Sequence, residues 1–325
     1  MNIKKIYTLA FCTFFLLNFL IVFSQNKKEV EPININGTTA DYVNETYGDH
    51  QRNKFDIWLA KSDKPTPLVI YIHGGGFGSG DKSKHYNSKQ LVSFLDKGIS
   101  VATINYRFQK HKPYGILASL NDSKRCLQFI RYHADKYNID KSRIGIYGSS
   151  AGAGTSLWIA FSDDMADLDN LDPILRESTR ISCVGALATQ ATYDFFRWPE
   201  ILNLPEELML IANTERRIAK AFGLKHEEGM DLKSYKKIIE ELDFLEKIDK
   251  NDPPMFVFNN QKGGIPVTNG QMNHHPLHAK ALKDKADSEG LESIVYAPKI
   301  QIKDPSGITL VDFFIKKLKY SYKGL

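Results

Sequence analysis

The sequence predicts an α/β fold: a mostly parallel sheet covered by helices on both faces, with a helical insertion. Apolar segments typical of buried strands alternate with segments typical of helices along most of the chain. Glycine-rich turns follow two of the apolar segments, at 74–76 and at 148–152. The 325 residues, of which 42% are hydrophobic, are enough to bury one large core without splitting into independent domains.

The first segment, residues 1–24, is typical of a secretory signal peptide. Two lysines precede an apolar stretch over 6–23, and polar residues follow it from Ser24. We expect cleavage near Ser24-Gln25, which makes the mature protein secreted or periplasmic and leaves it without a membrane contact. An uncleaved anchor is the alternative, because the apolar stretch approaches the length that a bilayer requires.

A polar lead over 25–39 is predicted to be disordered, and one domain is predicted over 40–320. Within it, strands are expected at 54–59, 67–72, 99–106, 143–147, 181–188, 254–258 and 291–297. The clearest helix is expected to run from an N-cap at Asn121 or Asp122 to Tyr137, because apolar residues recur every four positions on one face. Another helix is expected over 277–287.

The segment 194–252 interrupts this alternation and is predicted to be a helical insertion. The stretches 205–224 and 232–248 are both amphipathic, and Asp231 is available to cap the second. An insertion between two sheet strands lies above their carboxyl ends, where α/β sheets bind ligands.

Two motifs lie where strands of this sheet end. The strand 67–72 leads into His73-Gly74-Gly75-Gly76-Phe77, whose backbone N–H groups can face an oxyanion. The strand 143–147 leads into Gly148-Ser149-Ser150-Ala151-Gly152, and a helix of small and apolar residues follows. A Gly-x-Ser-x-Gly run holds a serine nucleophile on a turn too tight for flanking side chains. An ordinary strand-to-helix turn is the alternative for this motif taken alone, but its context favours a hydrolase.

With these motifs the chain resembles the α/β-hydrolase fold over residues 40–320. It is most similar to carboxylesterases of the hormone-sensitive-lipase group and to bacterial feruloyl and acetyl esterases. The resemblance implies that Ser150 is the nucleophile and that the N–H groups of Gly75, Gly76 and Ala151 form the oxyanion hole. It also implies that the insertion 194–252 is a cap that shapes the substrate pocket; a helical excursion without substrate contact is the alternative.

The acid and base that activate a serine are missing from the positions that this resemblance implies. In the resembling fold the acid follows the strand corresponding to 254–258, and the histidine follows the strand corresponding to 291–297. The loop 259–276 contains no Asp or Glu. Gln271 aligns best with the acid, and Asn273 is the alternative. No histidine follows Pro298, and the segment 299–307 stands in the place of the histidine loop.

The histidines that follow Ser150 are His226, His274, His275 and His278. If the chain hydrolyses esters, we expect His274 or His275 to reach Ser150 as the base of a dyad, because their loop leaves the sheet beside the nucleophile. A polar loop without a catalytic role is the alternative. We predict no metal site and no cofactor, because no carboxylate or cysteine accompanies the cluster and Pro276 breaks the helical spacing.

The cysteines bear on whether the chain contains a disulfide, and the charge balance bears on whether it binds nucleic acid. Cys126 and Cys183 remain after the signal segment, and either a disulfide, which export permits, or two buried thiols fit their positions. The formal net charge of +5 comes from 43 basic and 38 acidic residues, without a basic stripe interleaved with aromatic residues. We therefore expect no nucleic-acid partner.

Three functions remain for this combination of motifs. The first is an exported serine esterase that acts on carboxylic esters, including acylated carbohydrates, so that its partner is a small-molecule or glycan ester. The second is a catalytically silent homologue that binds an ester, glycan or lipid in the inherited pocket. The third is an interaction protein that uses the cap surface. The glycine loop and the Ser150 turn favour activity, whereas the missing acid and histidine favour silence.

Overall fold

The computed structural model divides the chain into two units, Met1–Glu31 and Pro32–Leu325, and we describe the second. Within the chain the structure describes residues 31–205, 214–227 and 229–320. The predicted signal segment lies outside these residues. Among the described residues, no helix is long and apolar enough to cross a membrane.

An eight-stranded sheet forms the centre of the unit, with the strand order β1-β2-β4-β3-β5-β6-β7-β8. β1 pairs with β2 and β2 with β4 in antiparallel fashion, and the remaining pairs are parallel. The strands are β1 Tyr42–Thr46, β2 Lys54–Trp58, β3 Thr66–Ile72, β4 Ser100–Ile104, β5 Ile139–Ser149, β6 Cys183–Leu187, β7 Met255–Phe258 and β8 Ser293–Tyr296. The predicted fold class is confirmed, and each of the seven predicted strands is present.

The additional strand, β1, lies at the edge of the sheet and has no strong apolar pattern, because its residues are half-buried or exposed. Just before it, Ile33 pairs with Thr39, and the Trp58 indole N–H donates to the Thr38 carbonyl at 3.1 Å. These contacts hold residues 32–39 against the sheet. This part of the chain therefore differs from the predicted disordered lead.

Helices cover the sheet. They are α1 Lys89–Asp96, α2 Ile116–Tyr132, α3 Ala151–Phe161, α4 Trp198–Ile201, α5 Thr214–Phe222, α6 Lys236–Leu242, α7 Asn269–Asn273, α8 Leu277–Glu289 and α9 Leu310–Ile315. The expected start of α2 was wrong, because the helix begins after Gly115. Asp122 lies inside the helix, where it accepts from Arg107 at 2.8 Å and from the Asn53 amide at 2.7 Å. It is a buried partner of two loops and does not cap the helix.

The insertion between β6 and β7 is less helical than predicted. Part of the first expected helix is α5, and residues 206–213 lie outside the described residues. The stretch 232–248 is not one helix. Asp231 caps a short 3₁₀ turn, Tyr235 separates this turn from α6, and α6 ends at Leu242. Apolar side chains continue beyond Leu242 because Phe244, Leu245 and Ile248 pack into the core from an irregular segment.

The core lies on both faces of the sheet. Successive residues of β3 alternate between two clusters of buried side chains, since Ile70 belongs to one and Val69 and Tyr71 belong to the other. Cys126 belongs to the first cluster and Cys183 to the second. Both are free thiols, so of the two alternatives the structure contains the buried thiols and no disulfide between them.

Candidate active site

Ser150 lies on the turn between β5 and α3. Its backbone has φ 55° and ψ −119°, outside the regions that most residues occupy. The Ser150 N–H donates to the Leu187 carbonyl of β6 at 2.9 Å, which anchors the turn to the neighbouring strand. This geometry raises the serine hydroxyl above the carboxyl end of the sheet, as a nucleophile requires.

The glycines that flank Ser150 are required by close approach. A Cβ on Gly152 would lie 2.0 Å from the Ile72 carbonyl oxygen at the end of β3, and a Cβ on Gly148 would lie 2.3 Å from the Gly152 carbonyl carbon. Both distances are far below van der Waals contact. The Gly-x-Ser-x-Gly pattern therefore follows from the packing of the turn against β3.

The predicted oxyanion-hole residues line the cavity or adjoin it. Gly75 has φ +123°, and its carbonyl accepts from the N–H groups of Gly78 and Ser79 at 3.1 and 3.0 Å. Among the described residues, the N–H groups of Gly75 and Gly76 donate no backbone hydrogen bond. Gly76, Ser150 and Ala151 line one cavity, and Ala151 is the first residue of α3, where a helix has free N–H groups. The arrangement leaves donors available to a developing oxyanion.

His274 is brought to the nucleophile. Its Nε2 lies 2.7 Å from Ser150 Oγ, which is hydrogen-bond distance. The residue stands directly after α7 in the loop that follows β7. Burial lowers the pKa of His274, and the backbone of Gly270 acts in the opposite direction. The Gly270 carbonyl accepts the His274 backbone N–H at 3.1 Å.

No carboxylate takes the orienting role. Among the described residues, the one histidine ring within 4.0 Å of a carboxylate is that of His226, 3.6 Å from Glu215. Gln271 does not stand in for the acid either. It closes a capping box with Thr268, and its side-chain oxygen accepts from the N–H groups of Val267 and Thr268 at 2.8 and 3.1 Å. Gln271 therefore caps the start of α7, and this role explains its position in the sequence.

The structure does not bring His275 to Ser150. Its Nε2 donates to the Gly264 carbonyl at 2.9 Å and its Nδ1 accepts from the Leu277 N–H at 3.2 Å, so neither nitrogen is left to take a proton from serine. His278 bonds the Met272 carbonyl and the Ala191 N–H, and burial lowers its pKa to about 3. The three rings therefore face different partners and do not converge as metal ligands would.

Three polar side chains that the sequence analysis did not identify hold the loop that carries His274. The Asn259 amide, directly after β7, donates to the His274 carbonyl at 3.0 Å. The Gln190 amide donates to the Asn273 carbonyl at 2.6 Å. From the insertion, Arg217 donates to the side-chain oxygens of Asn269 and Asn273 at 2.7 and 2.9 Å. Of these, Asn259 alone carries a sequence signal, because it follows a buried strand at the carboxyl edge.

The cavity over Ser150 has a volume of about 200 Å³. Its floor includes Phe77 and Ser150, and the insertion contributes Phe195, Trp198 and Arg217 to its walls. The insertion therefore contributes side chains to the cavity, as a cap does, and does not lie away from the site. Aromatic walls with a few polar groups are typical of sites for small organic ligands.

Comparison with known protein families shows the family to which this chain belongs. A model of the BD-FAE family matches residues 55–272, from β2 into α7, and includes both glycine-rich motifs. The chain belongs to the BD-FAE family. It is 24% identical over 226 residues to Esterase LipC of Mycobacterium tuberculosis, which covers 68% of this chain and 51% of that protein. It is 35% identical over 109 residues to a probable isoprenylcysteine alpha-carbonyl methylesterase of Arabidopsis thaliana, covering 33% and 22%. The chain thus spans about half or less of these relatives.

Solved structures share the fold of this BD-FAE chain. One is an acetyl ester-xyloside bifunctional hydrolase from Caldicellulosiruptor lactoaceticus, with a TM-score of 0.54 and 22% identity over 74% of this chain and 75% of that one. Another is a truncated carbohydrate esterase from gut microbiota, with a TM-score of 0.55 and 18% identity over 79% and 86%. These similarities show the α/β-hydrolase fold.

Because Ser150 and not Ser149 occupies the strained turn and faces His274, Ser150 is the position that a serine-directed probe should modify. We expect a fluorophosphonate to label the wild type and Ser149→Ala but not Ser150→Ala, measured by intact-protein mass. Labelling that survives in Ser150→Ala and disappears in Ser149→Ala would show that the nucleophile is the neighbouring serine.

Proposed function

We propose that this BD-FAE protein is a serine hydrolase of carboxylic esters in which Ser150 and His274 form a catalytic dyad. The observation that carries the proposal is the 2.7 Å separation of Ser150 Oγ and His274 Nε2. A protein that only binds ligands has no chemical need for a paired nucleophile and base beneath free backbone donors.

In the acylation step, Ser150 Oγ attacks the ester carbonyl carbon as its proton passes to His274 Nε2. The carbonyl oxygen becomes an oxyanion facing the N–H groups of Gly75, Gly76 and Ala151. The bond from carbon to the alcohol oxygen then breaks, and His274 returns its proton to the departing alcohol. An acyl-serine remains.

In the deacylation step, His274 takes a proton from water as the water oxygen attacks the acyl carbon. The second oxyanion collapses, the bond from carbon to Ser150 Oγ breaks, and the serine recovers its proton. The acid product leaves. Among the described residues no carboxylate lies within 4.0 Å of the His274 ring to stabilise the imidazolium formed in both steps. Since an orienting carboxylate contributes up to about 10⁴-fold in complete triads, we expect slow turnover.

Acylated carbohydrates are the substrate class that we favour within carboxylic esters. The amides of Gln109, Gln190 and Asn273 line the cavity and can bond sugar hydroxyls. Two of the structurally similar proteins are named as an acetyl ester-xyloside hydrolase and a carbohydrate esterase, which supports the same class. Export, with the mature chain secreted or periplasmic, completes the proposal and rests on the sequence of residues 1–24.

The proposed dyad gives a catalytic role to His274 and none to its neighbour His275. His274→Ala should reduce hydrolysis of 4-nitrophenyl acetate to the level of Ser150→Ala, because the base is removed. His275→Ala is the matched control and should retain most of the activity if it stays folded, since its ring bonds only to backbone groups of the loop. Activity that depends on Ser150 but survives both histidine changes would exclude the proposed base. Absence of Ser150-dependent activity in the wild type would favour the silent homologue.

The pH dependence of the dyad follows from the burial of His274. Only the neutral ring can accept the serine proton, and burial lowers its pKa below the usual value of about 6.5. We expect kcat/KM for a neutral ester to rise with pH to a plateau, with a midpoint below about 6.5. A midpoint above that value would indicate that a carboxylate supports the ring.

Export can be tested on the full chain. We expect the protein recovered outside the cytoplasm to begin near Ser24-Gln25, because the charged start, apolar stretch and polar exit match a cleavable signal. N-terminal sequencing measures the position. An intact Met1 in the membrane fraction would identify the segment as an anchor.

A further inference from the structure

The cavity over Ser150 carries a positive charge that the proposed chemistry does not use. Arg217 and Lys220 stand three residues apart on α5, and both line the cavity. Among the described residues that line it, none is an Asp or a Glu. A ligand entering this cavity therefore meets two cations and no opposing acid.

Arg217 differs in its partners from most other arginines that are at least partly buried. A carboxylate lies within 4.0 Å of each of Arg52, Arg107, Arg125, Arg143, Arg180 and Arg197. Among the described residues, Arg217 has no such neighbour, and its two hydrogen bonds go to neutral amide oxygens. Burial lowers its pKa, and no carboxylate offsets that effect. Among the described residues, Arg131 also lacks a carboxylate within 4.0 Å, but it donates to the carbonyls of Lys141 and Arg180 and does not line the cavity.

A half-buried guanidinium without a counter-ion is costly, and the cost is recovered when an anion binds. The guanidinium group has five N–H donors, of which two N–H groups are engaged by Asn269 and Asn273. The remaining N–H groups are donors that a carboxylate can accept from. Lys220, an exposed residue at the cavity wall, adds a second cation for the same anion.

The position of Arg217 indicates which part of the ester bears the anion. Arg217 bonds Asn273, and Asn273 directly precedes His274. In the proposed reaction His274 delivers a proton to the departing alcohol, so the alcohol lies beside His274. The acyl carbonyl oxygen lies on the other side, towards Gly76 and Ala151. The bond from Arg217 to the residue before His274 therefore favours the alcohol side for a bound anion.

We propose that this cavity selects esters whose alcohol part carries a carboxylate, such as an acylated sugar acid, and that Arg217 determines this specificity together with Lys220. The inference rests on the proposed ester hydrolysis and names its substrate class. Hydrolysis proceeds as before, and the carboxylate takes no part in bond breaking.

The test compares two esters that differ in one charge: 4-acetoxybenzoate and methyl 4-acetoxybenzoate. We expect the wild type to prefer the anionic ester in kcat/KM, and Arg217→Gln to reduce the ratio of the two values by about tenfold, or about 1.4 kcal/mol. The ratio cancels any loss of folded enzyme. Arg216→Gln is the matched control, because Arg216 is exposed on the same helix and does not line the cavity. It should leave the ratio unchanged.

A second pair of esters locates the charge. Mono-4-nitrophenyl glutarate has its carboxylate in the acyl part, and 4-nitrophenyl pentanoate is its neutral counterpart. We expect Arg217→Gln to change this ratio much less than the first. A tenfold change in the acyl pair with none in the alcohol pair would overturn the assignment to the alcohol side, and no change in either pair would overturn the proposal.

Binding separates this inference from the proposed activity. Ser150→Ala should bind 4-hydroxybenzoate more tightly than 4-hydroxybenzamide by calorimetric titration, and addition of Arg217→Gln should weaken the binding of the anion about tenfold. That result supports the anion site even if no ester is turned over, in which case the proposed hydrolysis alone fails. Equal binding of the two compounds, or no effect of Arg217→Gln, would overturn the anion site.

Discussion

The parallel pairing of β3 with β5 is the constraint on which the site depends. It sets Ile72 opposite Gly148, so that the glycine loop and the nucleophile turn leave the sheet side by side. The approach is so close that Gly152 packs against the Ile72 carbonyl without room for a side chain. Because these two strand ends are adjacent, Gly76 and Ala151 line the same cavity as Ser150. The glycines are thus requirements of packing before they are requirements of chemistry.

The proposed base, His274, reaches this cavity from a different strand than the one that the resemblance implies for the histidine. In the sheet β7 lies between β6 and β8, so a loop after β7 starts one strand nearer to β5 than a loop after β8 does. A histidine placed in the β7 loop can therefore contact Ser150 directly. Burial lowers the pKa of His274, and among the described residues no carboxylate lies within 4.0 Å of its ring to raise it.

The parts that the sequence predicted are those governed by local pattern. The buried strands have continuous apolar runs, whereas β1 was missed because an edge strand needs no such run. His274 and His275 could not be separated, since they are neighbours of one residue type and their roles depend on where α7 ends. Thr268 and Gln271 did contain a readable signal. Their spacing is that of a capping box, which explains Gln271 as a helix cap and not as a substitute for the acid.

The contact between the insertion and the base loop connects rate with specificity. A carboxylate in a complete triad fixes the orientation of the imidazole. In this protein the contacts found are to the backbone around His274, from the amides of Asn259 and Gln190. Arg217 holds α7 from the insertion through Asn269 and Asn273, and it also lines the cavity. An anion bound at Arg217 would therefore touch the same group that steadies the base. If both proposals hold, substrate recognition and alignment of the Ser150–His274 pair share one side chain, and the insertion takes part in catalysis as well as lining the pocket.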